Sequence, residues 1–198
     1  MRHELETSMD NPNLYIISGC NGAGKTTASM TVLPDVLACE EFVNADEIAK
    51  GLSPFHPEEM AIEAGKLMLR RIEVLLSQNK TFAIETTLAT RSYKSLVERA
   101  KSLGYTVTLL FFWLPSPEMA EMRVASRVAS GGHDIPKDVI YRRYWLGLQN
   151  LFNIYAPIVD YWSLYDNSIS QQPIVIANEI IDSLKLSQIK QLCLNKKR

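Results

Sequence analysis

The sequence has few cysteines, no excess of basic residues and no long hydrophobic run. Its three cysteines, Cys20, Cys39 and Cys193, lack the spacing of metal ligands, and their odd number does not suit a disulfide framework. A formal net charge of −1 argues against a nucleic-acid partner that is bound mainly by electrostatics. The longest strongly apolar segment, residues 107–114, is much shorter than a membrane-spanning helix. We therefore expect a cytoplasmic protein with neither a nucleic-acid partner nor a membrane partner.

The amino-terminal segment also lacks the apolar core of a secretory signal peptide. Residues 1–12 are mostly polar, and we expect them to be flexible. With 198 residues, of which 46% are hydrophobic, the chain is long enough to bury one proper core. We therefore expect residues 1–198 to form a single domain.

The most informative stretch of the sequence lies between residues 14 and 28. It contains Gly19, four further residues and then Gly-Lys-Thr, which is the pattern of a phosphate-binding loop. Glycines in such a loop let successive backbone N–H groups turn inward around an anion, and the following helix directs its positive end to the same place. The apolar run 14–17 precedes the loop and the helix-compatible run 26–32 follows it. The sequence therefore predicts a nucleoside triphosphate site between a strand and a helix.

The residues of this loop have distinct predicted roles. Lys25 is expected to reach the β- and γ-phosphates of the nucleotide, and the Thr26 hydroxyl is expected to ligate Mg²⁺. ATP and Mg²⁺ are therefore the expected cofactors. The residues predicted to bind the nucleotide are Gly19, Asn21, Gly22, Ala23, Gly24, Lys25, Thr26 and Thr27.

Strand-like runs alternate with helix-like runs along the rest of the chain. The predicted strands are residues 14–17, 41–46, 81–84, 105–114 and, more weakly, 163–166 and 173–176. The predicted helices are residues 26–32, 58–78, 92–102, 117–129, 136–153 and a last one from residue 178 onward. This alternation predicts right-handed βαβ units. The expected fold is an α/β P-loop NTPase of nucleotide-kinase type: a three-layer α/β/α structure with a mostly parallel sheet of about five strands and a small arginine-bearing lid at about residues 117–145.

Two acidic residues, Asp46 and Glu85, end strand-like runs, where parallel α/β sheets bind their ligands. Either carboxylate is suited to accept a proton from an acceptor hydroxyl or to order Mg²⁺ through water. An alternative for Asp46 is the N-cap of the short segment 47–50, a position that Asp favours. Thr87, close to Glu85, adds a hydroxyl that is suited to a polar substrate.

Four arginines flank a Gly-Gly pair in the predicted lid. Arg123 and Arg127 are four residues apart on one helix, so both project from the same face. A lid of this kind would bring cations to the transferring phosphate, whereas the alternative is a solvated surface with glutamate partners. Arg142 and Arg143 point about 100° apart on the next helix, so only one is expected to reach the site. We name Arg142 as the predicted substrate contact of this pair, but the sequence does not decide between Arg142 and Arg143.

Five segments together resemble a known family. They are GCNGAGKTT, VNADEIA, AIETTL, EMRVASRVASGGHDIP and YRRYWLGLQNLFNIYAPIVDYWSLYDNS, within residues 13–168. Their combination resembles the zeta-toxin-like P-loop kinases, and most closely a short stand-alone bacterial branch of that family. Zeta toxins transfer the γ-phosphate of ATP to the 3′-hydroxyl of the amino sugar in UDP-N-acetylglucosamine, which blocks cell-wall synthesis.

The resemblance implies a role for each matching residue. Lys25 and Thr26 match the residues that bind ATP and Mg²⁺, and Asp46 matches the general base. The residues implied to be catalytic are Lys25, Asp46, Arg123 and Arg127, and those implied on the substrate side are Glu85, Thr87 and one of Arg142 or Arg143. The resemblance also implies UDP-N-acetylglucosamine or a related sugar nucleotide as the acceptor and a separately encoded antitoxin as a partner.

We therefore predict an ATP-dependent kinase that phosphorylates a hydroxyl group of a small molecule. Two alternatives stay open at this point. One is the same reaction with another acceptor, such as a nucleoside or a cofactor. The other is a nucleotide-dependent switch or binding module that hydrolyses ATP slowly and acts through a conformational change.

Overall fold

The computed structural model of the protein describes residues 11–35, 37–132, 134–169, 174–177 and 182–195. Its strands are β1 (Asn13–Gly19), β2 (Phe42–Val43), β3 (Phe82–Thr86), β4 (Thr106–Trp113), β5 (Tyr161–Asp166) and β6 (Ile174–Ala177). Its α-helices are α1 (Lys25–Asp35), α2 (Ala45–Leu52), α3 (Ala61–Ser77), α4 (Tyr93–Ser102), α5 (Pro117–Ala129), α6 (Lys137–Asn150) and α7 (Ser183–Asn195). A 3₁₀ helix, Pro57–Met60, precedes α3, and a π-helical segment, Leu151–Tyr155, follows α6. Most of the segment expected to be flexible, residues 1–10, lies outside the described residues, as do residue 173 of the last predicted strand and residues 178–181 of the last predicted helix.

The strands form one sheet in the order β2-β3-β1-β4-β5-β6. β1 to β5 are parallel, and β6 pairs antiparallel with β5 at one edge. This arrangement confirms the predicted α/β fold with a mostly parallel sheet, and it adds an antiparallel edge strand. β1 lies between β3 and β4, so the chain passes to both sides of its first strand. Such a switch point opens a crevice at the carboxyl ends of the strands, where β1 leads into the phosphate-binding loop.

The central strands β1 and β4 are buried on both faces. In β1, Leu14 and Ile16 share one face and Ile17 lies on the other, and none of the three is more than 1% exposed. The last five residues of β4 are all buried as well. A parallel strand with two buried faces needs helices on both sides of the sheet. This burial explains the uninterrupted apolar run at residues 109–114.

The structure differs from the sequence expectation around Asp46. The predicted strand 41–46 is reduced to Phe42–Val43, and α2 begins at Ala45. The reason is Asn44, whose side-chain Oδ1 accepts a hydrogen bond of 2.8 Å from the backbone N–H of Asp46 and so caps the helix. Asp46 is therefore a residue of the first turn of α2 rather than its N-cap.

The predicted helix 58–78 begins as a 3₁₀ turn at Pro57 and becomes regular in α3. The apolar residues predicted to share one face of this helix are Ala61, Ala64, Met68, Ile72 and Leu75. The last four are each at most 2% exposed, whereas Ala61, at the start of α3, is exposed. None of the helices in the described part of the chain is long and apolar enough to cross a membrane.

Candidate active site

The phosphate-binding loop joins β1 to α1 and contains two glycines that no other residue replaces easily. Gly22 and Gly24 have φ angles of +77° and +80°. A Cβ on Gly22 would lie 2.7 Å from the carbonyl oxygen of Ala120, and a Cβ on Gly24 would lie 2.6 Å from Nδ2 of Asn167. The loop is therefore held between the first turn of α5 and the turn after β5. Both the left-handed backbone and the close packing require glycine.

The carboxylate of Glu85, in β3, connects this loop to the start of α2. Its Oε2 accepts a hydrogen bond of 2.8 Å from the Thr26 hydroxyl and another of 2.9 Å from Nδ2 of Asn44. Its Oε1 lies 3.6 Å from Nζ of Lys25, which also donates a hydrogen bond of 3.0 Å to the carbonyl oxygen of Cys20. One carboxylate thus holds the lysine and the threonine of the loop in fixed positions.

This cluster is almost entirely buried. The side chains of Lys25 and Glu85 are only 7% and 8% exposed. A buried ion pair is retained at low cost only when further hydrogen bonds satisfy both partners, and here both partners have them. Glu85 was predicted on the substrate side, and the structure places it against the residues predicted to bind ATP and Mg²⁺. Its role as a substrate contact stays a prediction.

Asp46 projects from the first turn of α2 into an open space beside the loop. It lines a cavity of about 420 Å³ together with Thr26, Arg127 and Arg143. That cavity adjoins a larger one of about 1010 Å³, which Asp46 and the two arginines also line. We call the two adjoining spaces the Asp46 cavity. Its remaining walls come from the segment between α2 and α3 and from the loop between α5 and α6.

Arg143 belongs to this site, and Arg142 does not. Nη1 of Arg143 donates a hydrogen bond of 3.2 Å to Oδ1 of Asn21 in the phosphate-binding loop. Burial lowers the pKa of the Arg143 guanidinium, and the nearby Asp46 carboxylate opposes that effect. Arg142 is exposed and lines neither part of the Asp46 cavity. Neighbouring residues on a helix point about 100° apart, and here Arg143 is the one that faces the cavity. The structure thus favours Arg143 over Arg142 in the choice that the sequence left open, and a substrate contact by either arginine stays a prediction.

Arg123 and Arg127 reach different parts of the crevice although they share one face of α5. Arg127 lines the Asp46 cavity. Arg123 donates a hydrogen bond of 3.0 Å from Nη2 to the carbonyl oxygen of Ser168, in the turn that follows β5. Arg123 is therefore placed beside the phosphate-binding loop, and Arg127 beside Asp46.

The turn after β5 supports the phosphate-binding loop in a way that the sequence did not indicate. Nδ2 of Asn167 donates a hydrogen bond of 2.7 Å to the carbonyl oxygen of Ala23. The preceding residue, Asp166, accepts hydrogen bonds from the Lys185 ammonium of α7 and from the backbone N–H of Ser168. Burial alone would raise the pKa of Asp166, but these hydrogen bonds and the positive charge of Lys185 outweigh it and hold that pKa below its usual value.

The remaining predicted residues have less direct positions. Thr87 does not line the Asp46 cavity; its carbonyl oxygen packs so closely on α6 that a Cβ on Gly147 would lie 2.4 Å from it. Thr27 is exposed on α1. Cys20 is buried, and burial raises the pKa of its thiol to about 11, so this thiol is protonated at neutral pH. The roles of Thr87 and Thr27 stay predictions.

Comparison with known proteins gives a family and a fold. Residues 14–142 match the AAA_33 model, described as an AAA domain. The chain is also 30% identical to an uncharacterized protein of Haemophilus influenzae over 126 residues, which are 64% of this chain and 88% of that protein.

Solved structures show the same fold at low sequence identity. A chain of the AvrRxo1-ORF1:AvrRxo1-ORF2 complex with sulphate ions has a TM-score of 0.74 at 19% identity; the match covers 92% of this chain but only 64% of that one. The chromosomal toxin-antitoxin system PezAT of Streptococcus pneumoniae has a TM-score of 0.63 at 17% identity, over 98% of this chain and 90% of that one. A putative kinase from Chloroflexus aurantiacus has a TM-score of 0.59 at 16% identity, over 95% and 98%.

These comparisons do not single out the zeta toxins, so that finer resemblance stays a prediction. The family match covers well over half of the chain and includes the phosphate-binding loop, Glu85, α5 and the first six residues of α6, so it ends just before Arg143. The chain belongs to the AAA_33 family of AAA domains and has a kinase-like P-loop fold.

Proposed function

We propose that the protein is an ATP-dependent phosphotransferase that phosphorylates a hydroxyl group of a small molecule bound in the Asp46 cavity. One observation carries the proposal: Thr26, Asp46, Arg127 and Arg143 line a single cavity beside the phosphate-binding loop. A carboxylate and two cations at that place are the groups that phosphoryl transfer to a hydroxyl requires.

The donor set at the loop fits ATP with Mg²⁺. No group of three His, Cys, Asp or Glu side chains that could hold a metal by itself occurs among the described residues. Mg²⁺ in kinase sites needs no such cage, because one or two protein oxygens and the nucleotide phosphates hold it together with water. The Thr26 hydroxyl would be such an oxygen, and the Glu85 carboxylate beside it would act through water. When bound, Mg²⁺ neutralises charge on the phosphate oxygens.

The chain's own residues have complementary tasks in the proposed reaction. The Asp46 carboxylate accepts the proton of the acceptor hydroxyl while that oxygen forms its bond to the γ-phosphorus of ATP. The bond between the γ-phosphorus and the bridging oxygen breaks, and ADP leaves. Lys25 and Arg127 stabilise the negative charge of the transferring group, where such contacts have their largest effect on rate. Arg123 contributes on the nucleotide side, next to the turn after β5.

The acceptor and the biological setting belong to the proposal as well. The resemblance to zeta toxins favours UDP-N-acetylglucosamine or a related sugar nucleotide as acceptor. The likeness to PezAT, a toxin-antitoxin system, supports a separately encoded partner protein. A single sheet that contains every described strand supports one domain across the chain. We infer a cytoplasmic location from the composition of the sequence.

The direct experiment is a transfer assay with ATP labelled at the γ-phosphate. The purified protein is incubated with Mg²⁺ and with a series of acceptors that includes UDP-N-acetylglucosamine, nucleosides and sugar alcohols. We expect the label to move to an acceptor, and ATP consumption to rise when that acceptor is added. ATP hydrolysis that no acceptor stimulates would instead support a nucleotide-dependent switch and would overturn the proposed function.

A further inference from the structure

Phe55 is an aromatic side chain that the described part of the chain leaves almost fully exposed. It is 90% exposed, the largest exposed fraction of any large hydrophobic side chain in the described part of the chain. It also lines the larger part of the Asp46 cavity. Exposed aromatic rings are ordinary at protein surfaces when they are isolated, but a ring at the edge of a charged cavity is typical of ligand recognition.

The backbone on both sides of Phe55 is conformationally restricted. Pro54 precedes it, and Pro57 begins the 3₁₀ helix two residues later. Each proline fixes its own φ angle and narrows the conformations of the residue before it. The two ends of the segment are also held by hydrogen bonds, from the N–H of Ser53 to the carbonyl of Ala49 and from the N–H of Glu59 to the carbonyl of His56. Phe55 is thus carried at the edge of the cavity by a short segment whose two ends are constrained.

Small and apolar residues border the same cavity from the loop between α5 and α6 and from the start of α6. They are Gly131, Gly132, Ile135, Pro136 and Val139. A cavity bordered by an aromatic ring and by such residues suits a flat, weakly polar group. Bases are recognised in this way, because every base has a π-face on which an aromatic side chain stacks.

The charged residues of the cavity define the rest of the ligand. Arg127, Arg143 and Lys50 line the cavity and are suited to anionic groups. Asp46, Glu58 and Asp134 line it as well, and their carboxylates are suited to hydroxyl groups. The volume of about 1010 Å³ lies at the upper end of the range for small-molecule sites, roughly 300–1,000 Å³, which leaves room for a ligand larger than a simple sugar.

From these observations we propose that Phe55 is a stacking platform for the base of a nucleotide-class acceptor, and that it selects such acceptors over sugars and alcohols without a base. This inference rests on the proposed function for the position of the reacting hydroxyl, but it can fail independently of it. Phe55 is a specificity-determining residue in this account and takes no part in the bond-making step.

The test measures ligand binding to protein whose phosphate-binding loop is saturated with a non-hydrolysable ATP analogue and Mg²⁺. Calorimetric titrations use UDP-N-acetylglucosamine, UDP and AMP as ligands with a base and N-acetylglucosamine 1-phosphate as the ligand without one. The variants are Phe55→Ala, Phe55→Trp and, as a control, Leu69→Ala, which removes another exposed apolar side chain outside the cavity. Because Phe55 is so exposed, its replacement is not expected to affect folding.

We expect at least one ligand with a base to bind, and Phe55→Ala to weaken it by about 5- to 150-fold, the range measured for loss of one base-stacking contact. Phe55→Trp should bind as wild type does, and Leu69→Ala should change nothing. Equal affinity of wild type and Phe55→Ala, or no binding of any ligand with a base, would overturn the inference. The transfer assay separates the two claims. Phosphorylation of the acceptor without a base at full rate leaves the phosphotransferase intact and removes the platform. Base-dependent binding without any transfer would support the stacking role of Phe55 and overturn the proposed phosphotransferase.

Discussion

The two sides of the crevice are built in opposite ways. On the phosphate side, Lys25 and Glu85 are nearly inaccessible to water and every polar group of their cluster has a named partner. On the other side, Asp46, Arg127 and Phe55 are exposed around a cavity of about 1010 Å³, and one wall is a loop with two adjacent glycines. The first region is fixed before any ligand arrives. The second is open.

The proposed function accounts for this contrast, because the two sides would bind different ligands. A triphosphate is the same in every turnover, so groups that are fixed in advance need not reorganise when charge develops. An acceptor must enter and its product must leave, so the residues around it belong to segments with less packing. The difference predicts that substitutions on the open side affect the rate of transfer with little effect on folding. Substitutions on the closed side should affect both.

The largest effect is expected for Arg127→Ala on the open side. Arginine contacts to a transferring phosphoryl group contribute about 10³–10⁵ in rate, so kcat for transfer should fall in that range while the melting temperature stays close to that of wild type. The control is Arg70→Ala, which removes an exposed arginine of α3 that lines neither part of the cavity. Steady-state kinetics and thermal unfolding of both variants give the answer. A rate equal to that of Arg70→Ala would indicate that Arg127 is only a surface charge.

A smaller effect on rate, with a clear effect on folding, is expected for Glu85→Gln on the closed side. The amide cannot accept hydrogen bonds from Thr26 and Asn44 and also face the Lys25 ammonium, because one of its two ends is a donor. Loss of a group that orients a metal ligand lowers activity by about 10–100-fold, and we expect the Mg²⁺ requirement to rise as well.

The matched control for Glu85→Gln is Glu73→Gln, which removes one partner of an exposed ion pair with Arg99. Exposed pairs contribute about 0–1 kcal/mol, so this control should be close to wild type in both stability and activity. If Glu85→Gln is as stable as Glu73→Gln and needs no more Mg²⁺ than wild type, the closed side is not organised around this carboxylate.

The smallest effect on transfer is expected for Asp166→Asn, which weakens the support behind the phosphate-binding loop. Hydrogen bonds to charged groups contribute about 1.5–3 kcal/mol, and we expect the free energy of unfolding at neutral pH to fall by that amount. Asp166 has a lowered pKa in the folded protein, so its contribution is fully present above the unfolded-state pKa of about 3.9 and is lost as the pH falls through the lower folded-state value. Urea unfolding at a series of pH values should show the two proteins converging in strongly acidic solution. A constant difference at every pH would contradict the assigned ion pair.

The sequence predicted the closed side better than the open side, for a physical reason. The phosphate-binding loop and the buried strands are local patterns, since glycine spacing and apolar runs report directly on backbone conformation and burial. The start of α2 could also have been predicted from the local sequence, because Asn44 is a favoured N-cap residue before a helical segment. The prediction of a strand through residue 46 was wrong because it overlooked this N-cap residue.

Other features depend on contacts between distant parts of the chain. Asn167 reaches the phosphate-binding loop only because β5 lies two strands from β1 in the folded sheet. Arg142 and Arg143 are indistinguishable in sequence, and only the rotation of α6 against the loop directs Arg143 to Asn21. Phe55 has no periodic or motif signal at all. Only the folded structure shows that its ring is exposed at the edge of the Asp46 cavity.

The central claim is that Asp46, on the open side, receives the proton of an acceptor hydroxyl, and the variant Asp46→Asn tests it most directly. Asn keeps the size of the side chain and removes its charge and its basicity. The matched control is Asp138→Asn, in the equivalent first turn of α6. The measurement is the rate of γ-phosphate transfer to the acceptor, together with the affinity for ATP and its dependence on Mg²⁺ concentration. We predict that transfer falls by about 10²–10⁴ while ATP binds with near-normal affinity and added Mg²⁺ does not restore the rate. Full transfer activity in Asp46→Asn, or recovery at high Mg²⁺, would contradict the account.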